Sequence, residues 1–345
     1  VKTRITELFG IQYPILLSGM SWISVPKMVA AVSNAGGLGI LATGPMDQEQ
    51  TRAAIREIRS LTDKPFGCNA TLLIPGAAEN ARIMLEEKVP VINFALGKGD
   101  WIVKGAHEYG GKVIATVVNA RHAKRAEEYG ADGVIATGHE AAAHGEAVTS
   151  LVLVPSLADA VKIPIIAAGG FADGRGLAAA LALGAEGIAM GTRFMTTKES
   201  PLHANFKRLS IEKGVDDTVA SPRIDGIPCR VLKTDAAERA IRRGLDLTAA
   251  FFNSREIAAQ LHVPYFKLAL GVLASGWKNA RQLAFMANGF KAFRLATEEG
   301  DLVKGILPVG QVTGLLHDEP TVKEVVEQIV AEAKQVREKL ASQIV

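Results

Sequence analysis

Only two cysteines, Cys68 and Cys229, occur in the 345 residues, and their separation matches no metal-ligand pattern. Two lone thiols build no disulfide framework and suit a reducing compartment. The formal net charge is only +3 and no basic block stands out, which argues against a nucleic-acid partner. No apolar run approaches the ~20 residues needed to span a bilayer, and the stretch VKTRITELFG has no apolar signal-like segment. The expectation is a cytoplasmic protein with no membrane partner. No group of Asp, Glu and His has metal-ligand spacing, and no Ser–His–Asp order is defensible, so neither a metal centre nor a hydrolytic triad is expected.

What the chain does have is a repeat of strand-like and helix-like runs, about every 20–30 residues. Strand-like runs cover Pro14–Leu17, Leu38–Leu41, Phe66–Asn69, Val89–Ala95, Lys112–Val117, Gly133–Ala136, Ile163–Ala168 and Gly187–Met190. Helix-like runs lie between them, one carrying an internal Pro155. Eight such units are the count of a closed (β/α)8 TIM barrel, an α/β fold. The AGGLG stretch at residues 35–39 looks like a dinucleotide fingerprint, but it follows a helix and opens a strand, the reverse of the fingerprint order. It reads as a helix stop and a strand start.

After strand eight the pattern changes. Pro201, Pro222 and Pro228 punctuate a loop-like stretch, followed by helix-like runs over Ala236–Ala249, Arg255–Gln260, Phe266–Leu273 and Ala280–Ala296. Residues 201–301 read as a helical insertion covering one end of the barrel, or as a separate helical domain; the barrel itself takes residues 1–200 and 302–345. The aromatic-rich insertion could equally serve as a lid or as a homodimer contact. Gly305–Gly314 reads as a loop with flexible glycines. Beyond Pro320, Val322, Val325, Val326, Ile329, Ala333, Val336 and Leu340 fall at three- and four-residue spacings, an amphipathic helix that should pack back on the barrel.

In such barrels the working residues sit at the C-terminal ends of the strands. Those ends carry Ser18, Gly19 and Met20, Asn69, Thr116, His139 and His144, Gly169 and Gly170, and Gly191 and Thr192. Strands seven and eight both finish in small residues whose backbone N–H groups suit a phosphate. The ends are poor in acids and bases, which argues that a bound cofactor does the hard chemistry. A phosphate site with small residues around the mouth suits a flat flavin, with Asn69 able to reach polar ring atoms and Met20 able to pack on a ring face. His144 lies in AAAHGE, where nothing bulky keeps an imidazole from a ring, and is favoured over His139 as a proton-transfer group. His107, His203, His262 and His317 have no such setting.

The stretches TRITELFGIQYPILLSGMSW, AGGLG, DKPFGCNATLL, GADGVIATGHEAAAHG and IPIIAAGGFADGRGLAAALALGAEGIAMGTRF, with GQVTG near the C-terminus, resemble the nitronate monooxygenase (2-nitropropane dioxygenase) family. That family also holds the flavin-dependent enoyl-ACP reductase II and NAD(P)H:quinone reductases. The resemblance implies non-covalent FMN, its phosphate on Gly169, Gly170, Gly191 and Thr192. It places Ser18, Gly19, Met20, Asn69 and Thr116 around the ring and ribityl chain, with Gln311 close by, and makes His144 the active-site histidine. Leu17-Ser18-Gly19-Met20 stands where members often have Gln-Gly-Gly-Met, and Ala142-Ala143-His144 where many have Gly-Gly-His. Each added methyl narrows the pocket. The activity so implied is nitronate plus O2 to a carbonyl compound and nitrite. The alternative is NAD(P)H-dependent reduction of a quinone or an enoyl thioester. A third reading, of another class, is a barrel that binds a phosphate ligand without flavin.

Overall fold

The computed structural model describes residues 1–142, 144–260, 264–274 and 276–344. Eight parallel strands close into a barrel: β1 (Ile15–Leu17), β2 (Leu38–Ala42), β3 (Phe66–Thr71), β4 (Val91–Ala95), β5 (Lys112–Val117), β6 (Gly133–Thr137), β7 (Ile165–Ala168) and β8 (Gly187–Met190). β8 pairs back onto β1 through Ile15↔Ile188, Leu16↔Ala189 and Leu17↔Met190. A helix follows each strand, as the (β/α)8 pattern requires.

Successive strand residues alternate between the two faces of the wall. Leu16, Leu38, Ile40, Val91, Ile114, Ile135, Ile166 and Ala189 form one buried cluster, joined by Ile5, Phe9 and Ile11 from and beyond the short helix Arg4–Phe9. The intervening residues, among them Leu17, Leu41, Cys68, Ile92, Val113 and Ile188, belong to the larger cluster shared with the surrounding helices. The first cluster is therefore the barrel interior. The helix Arg4–Phe9 was not expected from the sequence; six residues held by a Thr3 capping box are too few to show a periodicity.

The AGGLG stretch is a helix stop and strand start. Gly36 takes φ +92° just past the helix Pro26–Asn34, and a Cβ on Gly39 would lie 2.2 Å from the Val29 carbonyl oxygen. The glycine lets that helix lie directly on β2.

The region after β8 contains more than helices. The stretch read as loop-like holds a helix, Ala204–Glu212, and an antiparallel hairpin of β9 (Thr218–Ser221) and β10 (Cys229–Leu232). Pro222 and Pro228 directly flank the two strands, so neither removes a ladder donor. The expected helix Ala236–Ala249 divides into Asp235–Arg243 and the start of Leu247–Gln260 at Gly244, whose φ is +70°. Tyr265–Ala274 and Trp277–Arg294 complete the helical part. On its return the chain runs beside β10, where the Leu232 N–H donates to the Leu307 carbonyl at 2.9 Å. The glycine-rich Gly305–Gly314 stretch is not all loop, because a 3-10 turn occupies Gln311–Leu315. Salt bridges Arg193–Asp318 (2.8 Å) and Lys207–Glu319 (2.9 Å) hold the following turn.

The last helix, Val322–Gln343, buries Val322, Val325, Val326, Ile329 and Ala333 in the outer barrel core. It lies so close to the helix Gly174–Ala182 that a Cβ on Gly174 would meet the Glu332 Cβ at 2.3 Å. Leu340, at 41% exposure, lies beyond that contact. Among the described residues no helix is long and apolar enough to cross a membrane.

Candidate active site

The inward face of several strands begins apolar and ends polar. Val91 is followed two residues later by Asn93, Ile114 by Thr116, Ile135 by Thr137, and Gly67 by Asn69 and Thr71. The core is thus sealed below while hydrogen-bonding groups line the C-terminal mouth. Asn69 donates through Nδ2 to Asn93 Oδ1 at 2.6 Å. Asn93 in turn donates to Thr116 Oγ1 at 3.1 Å and to the Ile114 carbonyl at 3.2 Å, and Thr71 donates to Asn69 Oδ1 at 3.2 Å. This net fixes the two amides, since a buried amide without partners would be strongly penalised. Asn93 is 3% exposed and was missed in the sequence. Its signal was the two-residue phase with Val91, hidden inside an otherwise apolar strand.

Gly19 sits directly against Asn69: a Cβ there would meet the Asn69 Cβ at 2.7 Å. The turn that carries Ser18, Gly19 and Met20 is closed by Ser24, whose hydroxyl accepts from the Met20 N–H (2.9 Å) and donates to the Ser18 carbonyl (2.7 Å). Met20 reaches across to the end of β8, where a Cβ on Gly191 would lie 3.3 Å from its sulfur.

The ends of β7 and β8 form the next part of the rim. Gly169 and Gly170 have φ of +95° and +83°, a backbone that L side chains resist. A Cβ on Gly169 would also crowd Ala141 and the Gly138 carbonyl, at 3.1–3.2 Å. Ser150 holds this turn by donating to the Gly169 carbonyl at 2.7 Å. Gly191 opens the short helix Thr192–Met195, and the first N–H groups of a helix have no intrahelical acceptor. Gly310 N–H donates to Thr192 Oγ1 (3.0 Å) and Gln311 N–H to the Glu140 carbonyl (2.9 Å). Gly169, Gly170, Gly191, Thr192 and Gln311 are therefore joined on one side of the mouth, although Gln311 comes from beyond the insertion.

The loop after β6 carries both candidate histidines. His139 is tied down: its Nδ1 pairs with the Glu146 carbonyl at 3.0 Å, and its own carbonyl accepts from Arg230 Nε and Nη2 at 3.2 and 3.1 Å. His144 pairs through Nε2 with Asp225 Oδ2 at 2.7 Å. Its side chain is 31% exposed, whereas the Asp225 side chain is 8% exposed. Asp225 lies in the hairpin turn of the inserted region, 81 positions along the chain, so spacing could not reveal it. The following strand adds Cys229, whose thiol donates weakly to the Ala142 carbonyl at 3.6 Å, and the Arg230 N–H, which donates to the same oxygen at 3.3 Å. Burial, reinforced by the Asp225 carboxylate, pushes the Cys229 thiol well above its ordinary value. Burial also lowers Arg230, against the attraction of Glu140. Ala143, beside His144, lies outside the described residues, as does His262. His107 pairs with Asp132 at 2.9 Å, His203 caps the helix Ala204–Glu212, and His317 is exposed.

A sequence model of the nitronate monooxygenase family matches residues 2–332. The chain belongs to this family. It is thereby an oxidoreductase, in keeping with its relatives. It is 40% identical over 338 residues to the (3aS,4S,5R,7aS)-5-hydroxy-7a-methyl-1-oxo-octahydro-1H-indene-4-carboxyl-CoA dehydrogenase of Rhodococcus jostii (strain RHA1), covering 96% of each chain. A probable nitronate monooxygenase of Staphylococcus saprophyticus is 31% identical over 282 residues, 68% of this chain and 79% of that one. Among solved structures, FabK from Thermotoga maritima superposes over the whole of both chains, with a TM-score of 0.83 and 39% identity.

Proposed function

We propose that this nitronate monooxygenase family member is an FMN-dependent oxidoreductase of an acyl thioester, with His144 as its acid–base group. The observation that carries the reading is the His144–Asp225 pair at 2.7 Å, one partner from the barrel and the other from the insertion. Desaturation beside a thioester carbonyl, or its reverse, moves a proton at the α-carbon, and a carboxylate-held imidazole is suited to that. Two of the relatives that match essentially end to end support the substrate class, one being named a carboxyl-CoA dehydrogenase and the other FabK.

The residues present fit a flavin. Gly169 and Gly170 make a backbone cradle that a Cβ would strain, and Gly191 with Thr192 adds helix N-terminal donors and a hydroxyl, a donor set matched to a phosphate. Ser18, Gly19 and Met20, with the fixed amide of Asn69 and the Thr116 hydroxyl, would border the ring and ribityl chain, and Gln311 would lie at the rim. When bound, the flavin supplies hydride acceptance and donation. The protein's part is to hold the thioester over the mouth, with His144 Nδ1 at the α-carbon while Asp225 fixes Nε2 and balances the charge of the imidazolium.

Nitronate oxidation with O2 is the second reading, favoured by the family model and the staphylococcal relative. A nitronate is already an anion and asks less of a paired base. A nicotinamide-reduced enzyme with a quinone acceptor is the remaining variant on this scaffold. A visible spectrum of the purified protein, followed by anaerobic mixing with acyl-CoA, enoyl-CoA plus NADH or NADPH, and propionate-3-nitronate in turn, separates them. The thioester reading expects a flavin spectrum bleached by an acyl-CoA, or reoxidised by an enoyl-CoA after a nicotinamide has bleached it. Bleaching by the nitronate alone would refute it, and a protein that takes up no FMN would refute the flavin assignment.

A further inference from the structure

The fold brings one nitrogen, one oxygen and one sulfur ligand to a single point that no sequence spacing announces. His144, Asp225 and Cys229 each offer an atom, and the three lie within 4.8 Å of one another. Asp225 and Cys229 are 5% and 3% exposed, and they stand in the turn of the hairpin and at the first residue of its second strand, β10. We propose that these three residues form a binding site for a borderline-soft divalent cation, Zn2+ in the first instance, and that occupancy silences the enzyme by taking His144. The second half of this inference rests on the acid–base role given to His144 above; the site itself does not.

The donor set suits that class of ion. Imidazole, thiolate and carboxylate together select zinc-like cations, whereas Mg2+ and Ca2+ seek oxygen alone. In a tetrahedral zinc shell, with bonds of about 2.0–2.3 Å, ligand atoms stand roughly 3.3–3.7 Å apart. Binding therefore asks the Nε2–Oδ2 edge to open from 2.7 Å by roughly 0.6 Å and the Cys229 sulfur, whose acceptors among the described residues are carbonyls at 3.6 and 3.9 Å, to move in by about 1 Å. The aspartate and the thiolate formed on binding would together neutralise a divalent charge. Arg230, the nearest cationic neighbour in sequence, spends its guanidinium on His139 and Thr218. The fourth position would be left to water, the arrangement of an open site.

The consequence for His144 follows from which nitrogen is used. Nε2 already faces Asp225, so a cation entering there replaces the proton that the pair shares. An imidazole with a metal on Nε2 carries its remaining proton on Nδ1 and can no longer take one up. The same ion would tie the hairpin to the barrel loop.

The test uses the flavin-loaded full chain, dialysed against micromolar free Zn2+ with Mg2+ as control, with bound metal counted per chain and turnover followed in parallel. The expected result is one zinc per chain, no magnesium, and inhibition reversed by a chelator. Cys229→Ala and Cys229→Ser should both keep metal-free turnover and weaken zinc binding on the order of 100-fold. Absence of zinc binding, or binding unchanged in both variants, would overturn the site. One zinc per chain with undiminished turnover would overturn the silencing. If no thioester is turned over even in chelator, the acyl-thioester reading fails, and the metal count still decides the site.

Discussion

Asp225→Asn is the substitution that asks most directly whether the inserted region contributes to the chemistry. The amide keeps the shape of the carboxylate in a position with no spare room, since a Cβ on Gly289 would lie 2.8 Å from the Asp225 Cβ. What it removes is the charge opposite His144 Nε2. A hydrogen bond to a charged group contributes about 1.5–3 kcal/mol. If that interaction is present only while the imidazole carries a proton, its loss lowers turnover by roughly 10–150-fold. His144→Ala should lower turnover by roughly 100-fold or more. Both variants should retain flavin, because neither residue belongs to the Gly169–Gly170 and Gly191–Thr192 side of the mouth. The decisive assay is the double-mutant cycle: with His144 already replaced, Asp225→Asn should have almost no further effect on kcat. Flavin content and thermal midpoint guard against a folding defect. Turnover of Asp225→Asn within about threefold of the parent, or effects that multiply in the double variant, would refute the argument that Asp225 acts through His144.

Other outcomes can be read from single positions. Gly170→Asp places a carboxylate on a backbone with φ +83° at the proposed phosphate site, so the purified variant should be colourless; a normal flavin-to-protein ratio would remove that site. Gly39→Ala drives a methyl to 2.2 Å from the Val29 carbonyl oxygen, and denaturant unfolding should show a loss of about 1–3 kcal/mol or more, because the helix must lift from β2. Glu87 is held below its ordinary value, first by its hydrogen bond from Arg52 and then by Arg56 and Arg59. A depressed carboxyl contributes stability above its unfolded value near 4.5 and loses it as pH falls through the folded value. Thermal midpoints should therefore fall more steeply below that pH in the parent than in Glu87→Gln, and parallel curves would show that the arginines do not stabilise the carboxylate.

The barrel was legible because its signals are local. Buried parallel strands are short apolar runs ended by turn residues, and here most of them keep their expected bounds within two residues, from Lys112–Val117 to Gly187–Met190. The glycines at β7 and β8 were legible for the same reason, since Gly169-Gly170 and Gly191 interrupt the apolar pattern where the barrel mouth must lie. Features that depend on distant pairing were not legible. β9 and β10 are four residues each, and the proline-flanked turn between them looks like loop in any window short enough to see one strand. Asn93 is hidden because a buried amide in an apolar strand makes sense only once Asn69 and Thr116 stand beside it. Asp225 and Cys229 have no local mark at all. Their meaning comes from the contact with His144, 81 and 85 positions earlier in the chain.

That pattern bears on what distinguishes members of the family. The barrel supplies everything proposed to hold flavin, with Gln311 contributed by the chain's return. The inserted hairpin supplies the carboxylate on the histidine and pins the loop through Arg230. Substrate choice on this scaffold should accordingly follow the insertion more than the strands. A cofactor shared across different substrates needs only the barrel; a proton moved at a thioester α-carbon needs a charged partner behind the imidazole. In this chain Asp225 arrives from outside the barrel, so the acid–base role proposed for His144 depends on the inserted region folding against it.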